Sequence, residues 1–226
     1  MNIDIQYKPS YAMALVDLDG GERIMAEGGA MVSMSPGISI ETRRSAATGS
    51  ILKTLKTGLL GGESFWMNTY TAGANGGQVA LAPTLPGDIA EVDLNGTVFV
   101  QATSFLAGDP RLDFDTRFQG LKGFFSGESL FFLKISGTGP LLIASYGGLE
   151  MMEIDGSMVV DTGHIAAFDP GLDYKISKVG GLKSLFLSGE GLVCRFSGKG
   201  VLYLQSRNQS SFAAWANQFR RIEKKQ

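Results

Sequence analysis

The sequence predicts an all-β fold made of three repeated units, and three observations carry that prediction. Short runs rich in β-branched and aromatic residues are bounded by turn residues, as β-strands are. No helical period persists through residues 1–206. A loop that leads to Gly-Glu and then to an apolar run occurs three times, with its glutamates at Glu63, Glu128 and Glu190. Repetition of this kind indicates one small unit copied within a chain.

The repeats divide residues 1–206, expected to form a single β domain, into units of about 12–84, 86–146 and 147–206. An Asp-Gly or Asn-Gly pair favours a type I′ hairpin early in each unit, and a turn proline follows about 15 residues later. Each unit is therefore expected to contain two hairpins and about four strands. The residues concerned are Gly20, Gly96 and Gly156 for the first hairpin, Pro36, Pro110 and Pro170 for the proline turn, and 73–77, 137–139 and 198–200 for the second hairpin.

A unit of this size leaves one face apolar, so the units are expected to pack against each other, and against neighbouring chains wherever apolar surface stays exposed. The first unit is longer than the others because it carries an insertion between Ile40 and Gly62. The insertion is rich in Gly, Ser and Thr and is basic, which suits a short helix or a lid. Its candidate contact residues for a membrane or a partner are Arg43, Arg44, Lys53 and Lys56.

Residues 207–226 are expected to form a C-terminal amphipathic helix with a basic tail, capped by Ser210 or Ser211. Phe212, Trp215, Phe219 and Ile222 share one face at helical spacing. In the last turns, Arg220 and Arg221, with Lys224 and Lys225, oppose the helix dipole. Either the helix docks on the β domain, or its aromatic face contacts another subunit or an anionic membrane surface. For the second case the candidate contact residues are Trp215, Phe219, Arg220 and Arg221.

Composition and charge favour a soluble cytoplasmic protein. Cys194 is the single cysteine, which excludes an internal disulfide and suits a reducing compartment. The N-terminus lacks a signal-peptide pattern, and no apolar run reaches the roughly 18 residues of a membrane-spanning helix. The net charge of −2 makes a nucleic-acid partner unlikely on charge alone, although residues 207–226 carry +4 and the rest carries −6.

No catalytic or cofactor-binding constellation stands out. His164 is the only histidine, the GxSxG nucleophile motif is absent, and Cys194 lies in an apolar run typical of a buried, inert thiol. Glu63, Glu128 and Glu190 are the most informative polar positions. They are either structural carboxylates that accept backbone N–H bonds at strand starts, or functional groups gathered around a pseudo-threefold axis. We expect no metal, no cofactor and no enzymatic activity.

The chain resembles the altered inheritance of mitochondria protein 24 family in several segments together. They are the three Gly-Glu repeats, LNGTVFVQATSFLAGDP, IDGSMVVDTGHIAAFDPG and GSILKTLKTGLLGGESFW. The resemblance spans residues 1–222 and implies three fused repeats of a TRAP-like, double-stranded β-helix type fold with pseudo-threefold symmetry. It also implies assembly as a homo-oligomer, for which we favour a trimer. It supplies no catalytic residue set.

Two functional hypotheses follow from the sequence. The first is a non-enzymatic oligomeric scaffold or interaction protein that also touches a membrane surface. It depends on the repeats, the basic insertion and the amphipathic tail. The alternative is a module that binds a small ligand or RNA, using pockets between the repeats and the basic loops.

Overall fold

A computed structural model describes residues 1–44, 66–115, 132–178 and 192–220, and for Arg43, Arg44 and Lys178 it describes the backbone only. The described chain is mostly β-strand with one short helix, α1, at its C-terminal end. Before residue 200 its only helical segments are two 3₁₀ turns, at Ala102–Ser104 and Thr162–His164. The all-β prediction is therefore confirmed for this part of the chain.

The strands follow one another in three groups, which are called the first, second and third unit below. In the first group lie β1 Asn2–Gln6, β2 Met13–Leu18, β3 Arg23–Glu27, β4 Met31–Met34, β5 Ile38–Arg44, β6 Trp66–Ala72 and β7 Gly77–Leu81. The second consists of β8 Ile89–Gln101, β9 Phe105–Gly108, β10 Asp113–Asp115 and β11 Phe132–Ala144. In the third are β12 Leu149–Asp161, β13 Ile165–Phe168, β14 Leu172–Lys178 and β15 Leu192–Gln205, followed by α1 Gln209–Asn217.

Two sheets hold these strands. The smaller has the order β1-β2-β7-β4. The larger has the order β12-β15-β13-β8-β11-β9-β3-β6-β5, with β10 paired to β11 and β14 paired to β15. All strand pairs are antiparallel, and the larger sheet runs without a break through all three groups.

The same set of pairings recurs in each group. Strand β11 pairs with β8, β9 and β10, and β15 pairs with β12, β13 and β14. In the first group each long strand is split in two, so β2 and β3 take the place of β8, while β6 and β7 take the place of β11. Strands β4 and β5 then correspond to β9 and β10. A threefold axis and kinship with the TRAP-like fold stay predictions.

The predicted hairpins at Gly96 and Gly156 are wrong. Each glycine lies inside an uninterrupted strand, Gly96 opposite Gly137 and Gly156 opposite Gly198. Their φ angles are 134° and 128°, values that glycine adopts without strain. Extended backbone at these angles lets the strand continue, whereas a type I′ turn needs left-handed residues near +60°. Residues 137–139 and 198–200, also predicted as turns, likewise lie within β11 and β15.

The proline turns are confirmed. In each turn the amide N–H two residues after the proline donates to the carbonyl of the residue before the proline, at 3.0 to 3.2 Å. The three bonds are Ile38 N to Ser35 O at 3.0 Å, Leu112 N to Asp109 O at 3.1 Å and Leu172 N to Asp169 O at 3.2 Å. Each turn connects a short strand to the edge strand that follows it, so the turns set where β5, β10 and β14 begin.

Candidate functional site

Neighbouring units are joined by one kind of junction, in which a short strand of one unit pairs with a strand of the unit before it. Strand β9 of the second unit pairs with β3 of the first, and β13 of the third pairs with β8 of the second. The register is the same at both junctions. The paired residues are Ala107 with Ala26 and Gly108 with Met25 at the first junction, and Ala167 with Val100 and Phe168 with Phe99 at the second.

Both junctions are buried and apolar. All residues of β9 and β13 are buried. Leu106 and Ala107 of the second unit complete the core of the first unit, where they join Ile24 and Ala26. Ala166 and Ala167 of the third unit enter the core of the second in the same way. Each short strand therefore supplies apolar side chains that the preceding unit lacks.

Strand β4 occupies the matching place in the first unit. Its pairing with β7 contains the same bulge as the pairings of β9 and β13, with a register shift at the second residue of the short strand. By this alignment Val32 corresponds to Leu106 and Ala166, Ser33 to Ala107 and Ala167, and Met34 to Gly108 and Phe168. The first unit thus presents the same short strand that makes the two internal junctions.

Strand β4 makes no such junction within the described chain. All four of its residues are exposed, whereas β9 and β13 are buried throughout. Val32 is 56% exposed although Leu106 and Ala166 are both fully buried. β7 is its one partner strand among the described residues. We call this open strand, Met31–Met34, the donor edge.

Among the described strands, the third unit has the complementary opening at β12, which lies at the edge of the larger sheet. Its strand β12 corresponds to β8 of the second unit and to β2 with β3 of the first. Val160 therefore takes the position of Val100 and Ala26. Val159 takes the position of Phe99 and Met25. The buried residues of the apolar core of the third unit come from that unit and from Phe132 of the second unit. None of the described residues in this core comes from the first unit. Val159 is 50% exposed. We call Met158–Asp161, with the concave face beside it, the acceptor edge.

A cavity of about 540 Å³ lies on the concave face of the acceptor edge. Its apolar walls include Met152, Met158, Val160 and Leu204, and Pro9 of the N-terminal segment closes one side. In the second unit the matching face is filled by Ala166, Ala167 and Tyr203 of the next unit. The cavity is thus the place where a following unit would pack.

His164 stands at the rim of this cavity and is held by the backbone. Its Nδ1 lies 2.7 Å from the carbonyl oxygen of Gln205, and because a carbonyl only accepts, Nδ1–H donates. Asp161 accepts a bond from the amide of Gly163 at 2.8 Å and so caps the same 3₁₀ turn. Among the described residues no cluster of His, Cys, Asp or Glu could hold a metal ion.

Two titratable groups are strongly shifted by burial. Desolvation raises the pKa of the Cys194 thiol to about 12, which keeps this buried residue protonated at neutral pH. Burial also raises the pKa of the Glu27 carboxyl to about 7. Glu27 ends β3 at the junction of the first two units, and it corresponds to Gln101 in β8.

The C-terminal helix begins and ends earlier than the sequence indicated. Asn208, and not Ser210 or Ser211, is the N-cap, since its extended backbone lets its side chain accept the amide of Ser211 at 3.1 Å. The helix ends at Asn217, so Arg220 lies beyond it and not in its last turn. Helix α1 buries none of its residues. It meets the β domain through Phe212, whose ring centroid lies 5.8 Å from that of Tyr146.

The aromatic residues of this C-terminal segment lie next to one another, as their helical spacing predicted, and their face is exposed. The rings of Phe212 and Trp215 lie 5.9 Å apart, and those of Trp215 and Phe219 lie 5.2 Å apart. Trp215 is 56% exposed and Phe219 is 70% exposed. Within the described chain, no helix is long and apolar enough to cross a bilayer.

Several residues predicted from the sequence lie outside the described residues. They are Glu63, Glu128, Glu190, Lys53, Lys56 and Arg221. Arg43 and Arg44 end strand β5, where their backbones pair with Met67 and Trp66. The roles predicted for the glutamates and the insertion lysines therefore stay predictions.

The donor and acceptor edges were not identified from the sequence. Their residues, Met-Val-Ser-Met and Met-Val-Val-Asp, have the apolar character of any core strand. The repeat itself could have indicated them. When three similar units join head to tail, the donor strand of the first and the acceptor strand of the last stay unpaired unless the chain closes on itself.

Comparison with known proteins places the chain in a family. A family model described as "Mitochondrial biogenesis AIM24" matches residues 3–207. An uncharacterised protein of Streptococcus pyogenes serotype M6 is 28% identical over 220 residues, which cover 94% of this chain and 88% of the relative. A crystal structure of a Streptococcus pyogenes protein superposes with a TM-score of 0.77 at 26% identity, covering 97% of this chain and 99% of that one. The chain therefore belongs to the AIM24 family.

Proposed function

We propose that this protein is a non-enzymatic scaffold that works as a homo-oligomer in the cytoplasm. One observation carries the proposal: the first unit carries the donor edge, the third unit carries the acceptor edge, and both edges are open and apolar. The corresponding edges inside the chain are buried against each other. Exposed apolar strand edges are the kind of surface that association covers.

The scaffold hypothesis extends the repetition of units within one chain to an assembly of several chains. Three units of the TRAP-like type per chain would place nine units in the trimer that we favour. In such an assembly the interior is structural, and function would reside on the outer loops and on α1. The described residues around His164 and Cys194 offer packing and backbone hydrogen bonds, which supports a role in binding over one in catalysis.

Sedimentation equilibrium of the full chain tests the oligomer. A mass of about three times 24.1 kDa is expected for the trimer, and any larger discrete multiple still supports a scaffold. A protein that stays at the mass of one chain at the highest soluble concentration would contradict the proposal.

A membrane surface is the partner that α1 supports best. Trp215 and Phe219 expose their rings beside Arg220, and the sequence beyond adds Arg221, Lys224 and Lys225. Aromatic rings beside basic side chains are typical of segments that lie on anionic bilayers.

Vesicle flotation tests this contact. The full chain should float with phosphatidylserine vesicles and not with neutral ones, and removal of residues 209–226 should abolish flotation. The double variant Trp215→Ala, Phe219→Ala should weaken binding at unchanged tail charge, and Tyr11→Ala, an exposed aromatic on the N-terminal segment, is the control. Equal flotation with and without residues 209–226 would remove the membrane contact.

The cavity at the acceptor edge also supports the alternative that the protein binds a small apolar ligand. A volume of about 540 Å³ lies within the range of small-molecule sites, and His164 offers one polar contact at its rim. Native mass spectrometry of the purified protein distinguishes the two functions. A retained small molecule that Met158→Trp displaces would favour ligand binding, whereas a ligand-free oligomer favours the scaffold.

A further inference from the structure

We infer that the copies of this protein join head to tail, with the donor edge of one copy paired antiparallel to the acceptor edge of the next in a fixed register. In this register Ser33 lies opposite Val160, and Met34 lies opposite Val159. The inference rests on the proposed oligomer and specifies how it is built. The partner is a second copy of this chain.

The register comes from the two junctions inside the chain. At both of them the third residue of the short strand lies opposite the same position of the longer strand, as Ala107 lies opposite Ala26 and Ala167 opposite Val100. The matching residues at the open ends are Ser33 and Val160, by the alignment of the bulges and of the long strand pairs. A junction used twice within one chain fits the two edges that remain.

Burial supports the same pairing. Val32 is the residue that corresponds to Leu106 and Ala166, both of which are fully buried in the core of the preceding unit. In a head-to-tail pair Val32 would enter the cavity at the acceptor edge, where Met158, Val160 and Leu204 form the walls. That placement would cover both the exposed Val159 and the exposed donor strand. A single contact between two copies would therefore remove both apolar surfaces from water.

The edges lack the features that keep free strands apart. Edge strands that face solvent usually carry lysine, proline or an inward charge. The donor edge, Met31–Met34, has no charged residue and no proline. In the acceptor edge, Asp161 is the one charged residue. Its side chain accepts the amide N–H of Gly163 and so caps the following 3₁₀ turn. Both strands are therefore free to accept another strand.

This junction is heterologous, since each copy uses a different surface on either side. Such contacts build a closed ring when the rotation between copies completes a circle. They do not build a twofold dimer. The donor edge of the first copy in a ring meets the acceptor edge of the last, so no open strand remains, which matches the trimer proposed above.

Disulfide trapping tests the register with matched pairs of substitutions. In a Cys194→Ala background, four double variants are compared: Ser33→Cys with Val160→Cys, Met34→Cys with Val159→Cys, and the two exchanged combinations. Residues directly opposite each other on antiparallel strands have Cβ atoms about 4.5–5.5 Å apart, while an offset of one residue turns the side chains to opposite faces. Each variant is first checked for a native circular dichroism spectrum and oligomeric mass.

After mild oxidation, the two matched variants should give covalent dimers and higher multiples on a non-reducing gel, and the two exchanged variants should give at least about tenfold less. Linkage in the exchanged variants instead would overturn the register. Linkage confined within single chains would show that each chain closes on itself and would overturn the head-to-tail contact. Absence of linkage in a protein that still sediments as an oligomer would overturn this inference alone, whereas a monomeric parent would overturn the proposed function as well.

Discussion

The thiol of Cys194 lies buried in the apolar core of the third unit. An apolar run predicted a buried, inert thiol, and the side chain is indeed buried, with its pKa raised to about 12 by desolvation. The thiolate is the reactive form, so at pH 8 almost none is present in the folded protein. We therefore expect Cys194 to react with Ellman's reagent on the timescale of unfolding, and rapidly in denaturant. Fast modification of the native protein would contradict this burial.

Glu27 was not predicted, because nothing in its sequence neighbourhood marks a partly buried carboxylate. Burial raises its pKa from 4.5 to about 7. The folded state then holds a proton that the unfolded state has released, so the free energy of unfolding falls as pH rises from about 4.5 through 7. Below this window the penalty is absent, and above it the penalty is fully present.

The Glu27→Gln variant should therefore gain stability over the parent as pH increases from 5 to 8, by about 1–3 kcal/mol at the upper end. Urea denaturation at a series of pH values measures the difference. The exposed Glu91, in the second unit, provides the control substitution Glu91→Gln, which removes the same charge at an exposed position. Parallel pH curves for parent and Glu27→Gln would rule out the proposed cause.

At the scale of elements, the sequence predicted strand content and proline turns well but mistook the glycine pairs. Asp155-Gly156 has the composition of a hairpin turn, yet Gly156 lies in the middle of β12 opposite Gly198 of β15. A glycine in the sequence indicates that a positive φ is allowed at that position. It does not indicate whether the chain reverses direction there. The pairing of β12 with β15 along their whole length decides that, and it depends on residues about forty positions away.

The opposed pair Gly156 and Gly198 gives a matched test of this geometry. Both have φ in the range that disfavours side chains, 128° and 116°. A Cβ at Gly156 would meet open space, whereas one at Gly198 would lie 2.5 Å from the carbonyl oxygen of Gly171. Gly156→Ala should cost about 1–2 kcal/mol of stability through backbone strain, and Gly198→Ala clearly more, since the clash is with backbone.

Thermal or urea denaturation of the two alanine variants measures this difference. Their common backbone strain makes each the control for the other, so the difference isolates the close approach of Gly171. Equal destabilisation would mean that the turn containing Gly171 does not approach β15 as described.

At the scale of the whole molecule, the sequence predicted repeated units and did not predict the open ends. Repeated motifs indicate that similar units follow one another. The site depends instead on which copy of a strand lacks a neighbour, and β4 and β9 differ in this respect although both are short and apolar. Only the arrangement of the units in space distinguishes them. The predicted glutamates, Glu63, Glu128 and Glu190, lie outside the described residues and stay predictions.

Val32 and Met151 allow a controlled test of the whole assembly. Val32 is 56% exposed and Met151 is 64% exposed, so a charge at either position should leave the fold of a single chain intact. Val32 lies at the centre of the donor edge. Met151 corresponds to Glu91 of the second unit, where an exposed charge already coexists with a formed junction.

Sedimentation velocity of the parent, Val32→Asp and Met151→Glu tests the central claim most directly. The parent and Met151→Glu should sediment as the same oligomer. Val32→Asp should dissociate to single folded chains of 24.1 kDa, because its carboxylate would have to enter an apolar cavity. An oligomer that survives Val32→Asp unchanged would contradict assembly through the donor and acceptor edges.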